Sequence, residues 1–194
     1  MVGSKIVVPA SSPQARAALA RGARVIARSW GAQLDADTVD PRRLDEIQQA
    51  VAGVAALRAL TPADLAAILR LDDRTRSDYP GDVATMHQPL TPETATPTDR
   101  RPAFGATVGV ELIAMTFVEV DENHAETDFT VVAPTWRSRG LSTAVKALSV
   151  SALGRAGVRR FRTGGSFENA AIMAANDRLG YVRDEEWLTL AVPE

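Results

Sequence analysis

Arg137 and Arg139 flank a serine, Ser138, and run straight into Gly140, Leu141, Ser142 and Thr143. Two guanidiniums and a glycine at the start of a helix form an arrangement suited to holding a phosphate. The first turn of a helix carries N–H groups with no intrahelical partner, together with the positive end of the helix dipole. Gly140 removes the side chain that would keep an anion away from that backbone, and the arginines add full charges. A phosphate or pyrophosphate is the ligand such a turn suits.

The turn needs a strand before it and a helix after it, and the apolar pattern supplies both. Residues 125–132 read as a strand, with Phe129 and Val131 on one face and Asp128, Thr130 and Val132 on the other. Pro134 ends it, since proline cannot donate to a ladder and restricts the residue before it. From Leu141 the spacing becomes helical, through Ala144, Val145, Leu148 and Ala152, and Gly157 stops the helix. Upstream, residues 108–110 and 112–120 suggest two strands around Glu111. Downstream come a strand at 158–163, a helix from about Asn169 to Leu179, and a last strand at 187–192.

The N-terminal half is less regular. Residues 55–60 read as a first strand, and Thr61-Pro62 opens a helix that buries Leu65, Ile68 and Leu69. Before it, Ser12-Pro13 opens a helix whose apolar stripe runs through Ala18, Leu19, Val25, Ile26 and Trp30. Asp40-Pro41 opens another, with Leu44, Ile47 and Val51. Residues 1–53 thus read as an N-terminal helical extension, and 54–194 as the main domain. Residues 79–103 hold five prolines and no period, the mark of a loop or lid. The element order β-α-β-β-β-α-β-α-β predicts an α/β (α+β) fold, with a mixed, mostly antiparallel central sheet and helices on both faces.

Arg137-x-x-Gly140-x-Ser142, after a strand ending Val132-x-Pro134, resembles the pyrophosphate loop of the GNAT superfamily of acyl-CoA-dependent N-acetyltransferases. Asn169 and the run from Asn176 through Arg178, Leu179 and Gly180 to Tyr181 resemble the next helix and strand start of that family. The resemblance covers roughly residue 55 to the C-terminus. One departure is that Ser142 stands where the family usually has Gly or Ala.

The resemblance implies acetyl-CoA as co-substrate and an amine of a small molecule or peptide as acceptor, joined in a ternary complex. Thr130, Val131 and Val132 are then expected to offer backbone groups to the pantetheine arm and thioester. Arg137 through Thr143 would hold the pyrophosphate, and Asn169 the pantetheine arm. Many members carry a thiolate-protonating tyrosine seven residues after that asparagine, where this chain has Asn176, an amide that can donate a hydrogen bond to sulfur but no proton. Many also carry a glutamate five residues before it, where this chain has Gly164. The base is therefore sought among Asp128, Glu119 and Glu111, with Asp128 preferred because it shares a face with Thr130. The alternative class is a CoA-binding protein that no longer catalyses and has a regulatory or scaffolding role.

Composition narrows the remaining classes. A 45% apolar content suffices for a packed core, and a net charge of −2 argues against a general nucleic-acid binder. The absence of cysteine removes thiol nucleophiles and thiolate metal sites, and with only His87 and His124 a multi-histidine metal centre is not expected. The apolar runs are too short to span a membrane, and the arginines of the first thirty residues do not suit a signal peptide. A soluble cytoplasmic protein without metal is expected, with a homodimer left open.

Overall fold

The computed structural model describes residues 4–78, 83–85 and 87–193. The strands are β1 (Lys5–Pro9), β2 (Arg24–Asp35), β3 (Ala56–Ala59), β4 (Ala103–Val108), β5 (Glu111–Asp121), β6 (His124–Val132), β7 (Arg160–Ser166) and β8 (Val182–Ala191). The helices are α1 (Pro13–Ala20), α2 (Pro41–Gln49), α3 (Leu65–Thr75), α4 (Pro92–Ala95), α5 (Leu141–Arg155) and α6 (Ala170–Leu179). Among the described residues the strands form one eight-stranded sheet, in the order β1-β8-β2-β7-β6-β5-β4-β3. Neighbouring strands run antiparallel except for β6 and β7. One face packs on α2, α5 and α6 through Leu44, Ile47, Val145, Val150 and Leu179. The opposite core gathers Ile68 and Leu71 of α3 and Ala95 of α4 with Phe117 and Phe129. The mixed, mostly antiparallel sheet with helices on both faces is thus present. No helix among the described residues is long and apolar enough to cross a membrane.

The N-terminal stretch departs from the expected helical extension. The helix capped by Ser12 is α1, but it ends at Ala20, where Gly22 turns the chain with φ of +90°. The chain then enters β2, a central strand between β7 and β8. The reason is visible in the second half of that strand. Trp30, Ala32 and Leu34 are all buried at alternate positions, which is the period of a strand. Val25 and Ile26 fit a helical stripe equally well on spacing, yet β-branched side chains favour the extended form, and long-range pairing decides. Ile6 and Val8 likewise belong to a strand, β1, at the edge of the same sheet.

Two further boundaries moved. Residues 103–108 are strand β4, and Gly109-Val110 is the turn that joins it to β5, with Gly109 at φ of +57°. Ala103, Phe104 and Ala106 are buried without alternation, so no period marks this strand. The proline-rich segment is also less open than expected. Residues 79–82 and 86 lie outside the described residues, but Thr91 caps α4 and Leu90 packs against the α3 core.

The gap that matters lies between β6 and β7. They pair in parallel only through His124↔Arg160, Ala125↔Phe161 and Glu126↔Arg162. Past that point β6 is held by β5 and β7 by β2, so the two strands part like a fork. A bulge in β6 accompanies the parting. Phe117 pairs with Phe129 and Val118 with Thr127, leaving Asp128 as the extra residue. The bulge exchanges faces: Ala125 packs under α5, whereas Phe129 and Val131 pack under α3.

Candidate functional site

The turn after β6 has the backbone an anion site requires. Pro134–Trp136 forms a short 3-10 turn, Ser138 sits at φ of 60°, and Gly140 is the N-cap of α5 in the left-handed conformation. Among the described residues no side chain caps this helix, so its first N–H groups are left without an intrahelical partner. A β-carbon at Gly140 would have only Val51 nearby, at 3.8 Å. Space therefore permits one, while the positive φ disfavours it. Arg139 lies over the Trp136 ring at 4.9 Å. Arg137 donates to the Val132 carbonyl at 3.2 Å and pairs with Asp78 beyond α3. Leu141 and Thr143 are buried, which leaves their N–H groups, rather than their side chains, to meet a ligand.

The fork opens into a cleft of about 930 Å³, whose lining includes no residue of the turn itself. Thr127, Asp128 and Thr130 line it from β6, and Thr163, Gly164 and Ser166 from β7. Val131 packs away from it under α3, and Val132 is half-buried against the α5 core. Asn169 lines the cleft and at the same time caps α6, its Oδ1 accepting from Ile172 N at 3.2 Å. Asn176 does not line the cleft. It is 1% exposed, and neither polar atom of its amide has a hydrogen-bond partner among the described residues. An unsatisfied buried amide is costly and uncommon.

The carboxylates separate clearly. Asp128 and Glu119 both line the cleft and share Arg101, which pairs with Glu119 at 2.6 Å and lies 4.5 Å from the Phe117 ring centre. Glu111 stands at the hairpin turn, tied to Arg74 at 2.7 Å, and is not part of the cleft wall. Gly164 is closed to any side chain, because a β-carbon there would meet the Trp30 carbonyl oxygen at 2.9 Å.

Two groups of the site were not found by reading the sequence. Asp72 on α3 is buried and accepts from Leu90 N at 3.1 Å, while its other oxygen meets His87 Nε2 at 2.6 Å. His87 lies 4.2 Å from the Phe129 ring centre and lines the cleft, so this pair anchors the proline-rich segment to the cleft wall. Only the spatial fold joins residues 72 and 87.

Lys146 of α5 is the second. Its Nζ donates to Thr127 Oγ1 at 3.0 Å and to Thr163 Oγ1 at 3.1 Å, and stands 5.3 Å from the Tyr181 ring centre. Burial pushes the Lys146 amine down to about 7 and pushes the Tyr181 phenol well up. The available signal was a single charge in the otherwise uncharged middle of an apolar helix.

The chain matches no protein-family model, and no curated protein matches it. Solved structures do match. A GNAT-family protein from Novosphingobium aromaticivorans is 18% identical with a TM-score of 0.57, the match covering 100% of this chain and 77% of that one. A GCN5-related N-acetyltransferase from Kribbella flavida is 13% identical with a TM-score of 0.67, covering 99% and 69%. The ribosomal-protein-S18-alanine N-acetyltransferase of Escherichia coli is 19% identical with a TM-score of 0.55, covering 72% and 94%. With the forked strands, the bulge and the glycine-capped helix in place, these likenesses identify the fold of this chain as that of the GNAT superfamily.

Proposed function

We propose that the protein is an N-acyltransferase that passes the acetyl group of acetyl-CoA to an amine. The observation that carries this reading is the fork between β6 and β7, which leads into the uncapped N-terminus of α5. Donors arranged in this way suit a phosphate group, and the parted strands leave unpaired edges beside which an extended arm can lie. The N–H groups of the turn from Ser138 to Thr143 hold the pyrophosphate with the help of Arg137 and Arg139. The backbone of Thr130, Val131 and Val132 receives the pantetheine arm on one side, and the Asn169 amide, whose nitrogen remains a donor, receives it on the other.

The acceptor enters from the side of α3 and α4. Glu119, Glu126, Asp128 and Glu185 line that space against Arg101 and Arg162. The arginines are already shared, Arg101 between Glu119 and Asp128 and Arg162 between Asp184 and Glu185. An excess of carboxylate favours a positively charged amine, of a small molecule or a peptide, as acceptor. Asp128, placed at the bulge beside Thr130, takes the amine's proton directly or through water. The neutral amine attacks the thioester carbonyl, and the carbon–sulfur bond breaks as the amide forms. A thiol-release assay across a panel of amines, with a no-acceptor control, tests the reading. Acceptor-dependent thiol release supports it. Binding of acetyl-CoA without release for any amine favours the non-catalytic class instead.

A further inference from the structure

The chain's basic side chains are almost all arginine: of 22, only Lys5 and Lys146 are lysines. Arginine keeps its proton under all ordinary conditions, whereas a buried lysine can release one near neutrality. It is a lysine that stands at the fork. Thr127 and Thr163 are each the first residue past the last paired rung of β6 and β7, and the Lys146 amine bridges their hydroxyls. Both threonines line the cleft and Lys146 does not, so anything the amine does there passes through a threonine.

The two hydroxyls are not equivalent. Thr127 stands beside the Tyr181 phenol as well as the amine, on the α5 side of the sheet. Thr163 accepts from Lys146, and that leaves its own O–H to be directed into the cleft. The groups facing the amine are the two hydroxyls, from β6 and β7, and the Tyr181 ring just ahead of β8. No carboxylate pairs with it among the described residues, and burial alone accounts for its weakened hold on the proton. Asp128 lies across the bulge from Thr127, with Arg101 and Glu119. The cleft therefore has a proton acceptor on one face of the sheet and a proton source on the other.

We propose that Lys146 is a positioning residue of the acyl-transfer site, holding the Thr163 hydroxyl as the donor that protonates the departing thiolate. The inference rests on the acyltransferase reading. As the tetrahedral adduct collapses, the carbon–sulfur bond breaks and its electron pair goes to sulfur. Sulfur takes the Thr163 hydroxyl proton, the Thr163 oxygen takes a proton from Lys146, and the amine left neutral is reprotonated from water after thiol release. Through this relay the chain supplies the proton that Asn176 cannot give.

The test uses four proteins: the parent, Lys146→Met, Thr163→Val and Thr163→Ser. Methionine keeps an apolar stem of similar length, and valine and serine separate shape from hydroxyl. Steady-state kinetics run from pH 6 to pH 9.5, with acetyl-CoA and the best amine of the panel. Loss of a general acid commonly costs 10²–10⁴-fold, so kcat falls roughly 100-fold in Lys146→Met and Thr163→Val. KM for acetyl-CoA stays within about twofold, the standard for an effect on chemistry rather than binding. In the parent, kcat declines as pH rises past the point where the amine loses its proton. That decline is absent from both variants, and Thr163→Ser restores most of the rate.

A second readout needs no turnover. With only two lysines, selective labelling gives two side-chain NMR signals. The Lys146 signal titrates near neutrality, and binding of CoA, which places a thiol in the cleft, raises its midpoint in the parent but not in Thr163→Val. If CoA binds and the Lys146 signal stays put, or if Lys146→Met keeps the parent's kcat and pH profile, the relay is wrong while the acyltransferase reading stands. If kcat and acetyl-CoA affinity fall together in Lys146→Met, the lysine is merely structural. If CoA does not bind the parent at all, the reading fails and the relay fails with it.

Discussion

Burying Lys146 has a consequence for stability that can be measured without any substrate. The amine is 1% exposed and held down to about 7, against 10.5 for an ordinary lysine. The folded state therefore releases this proton while the unfolded chain still holds it. Below pH 7 both states are protonated and the fold bears the full cost of a buried ammonium. As pH rises from 7 towards 10 the fold is relieved of that cost and stability increases. Each pKa unit corresponds to about 1.36 kcal/mol, so the gain between pH 7 and pH 9 is roughly 2 kcal/mol after allowing for half-titration at pH 7. Lys146→Met removes the group and with it this contribution. Its own packing change, including two threonine hydroxyls left without the amine, is nearly constant with pH and cancels in the comparison. Urea unfolding of both proteins at pH 6, 7, 8 and 9 gives the difference directly. The parent should gain about 2 kcal/mol on the variant between pH 7 and pH 9. Parallel stability curves for the two proteins would show that Lys146 titrates as an ordinary lysine and would refute the reasoning.

The geometry sets three other outcomes. Asp128→Asn keeps the shape of the bulge and leaves Arg101 paired with Glu119, so folding is little changed while kcat at neutral pH falls roughly 10²–10⁴-fold, with partial recovery at higher pH; a twofold loss with the parent's pH profile excludes Asp128 as the base. His87→Leu strands the Asp72 carboxylate, 1% exposed, with the Leu90 N–H as its remaining partner among the described residues, and should cost about 3–5 kcal/mol in urea unfolding. Gly164→Glu, which puts a carboxylate where many GNAT-superfamily proteins carry one, lowers the melting temperature and does not raise activity, because its β-carbon meets the Trp30 carbonyl oxygen at 2.9 Å; a stable and faster variant contradicts this.

The sequence was most legible where one local rule controlled one local feature. Pro134 and Gly140 marked the turn, and the helical spacing from Leu141 marked α5, because each is fixed within a few residues. The bulge at Asp128, the fork past Glu126 and the face exchange were not legible, since they depend on which strand lies alongside. β2 was hidden for the same reason: Val25, Ile26 and Trp30 fit a helical stripe, and only pairing with β7 and β8 makes them a strand. In the site, Asn169 lines the cleft, whereas Asn176, seven residues on, is buried away from the cleft wall. His87 was set aside as part of a lid, yet Asp72 holds it against Phe129. Lys146 looked like one charge on an apolar helix and became notable only once two threonines from diverging strands were seen around it.

The most direct test of the central claim is calorimetric titration of acetyl-CoA into the parent and into Gly140→Val. Valine at φ of +78° strains the N-cap and puts a branched side chain where the pyrophosphate must approach the backbone. Expected is saturable binding of one acetyl-CoA per chain by the parent, and a loss of at least about 100-fold in affinity for a variant that still unfolds cooperatively, which corresponds to roughly 2.7 kcal/mol of lost binding. No binding to the parent, or equal binding to both proteins, would contradict the assignment of this turn and cleft to acyl-CoA.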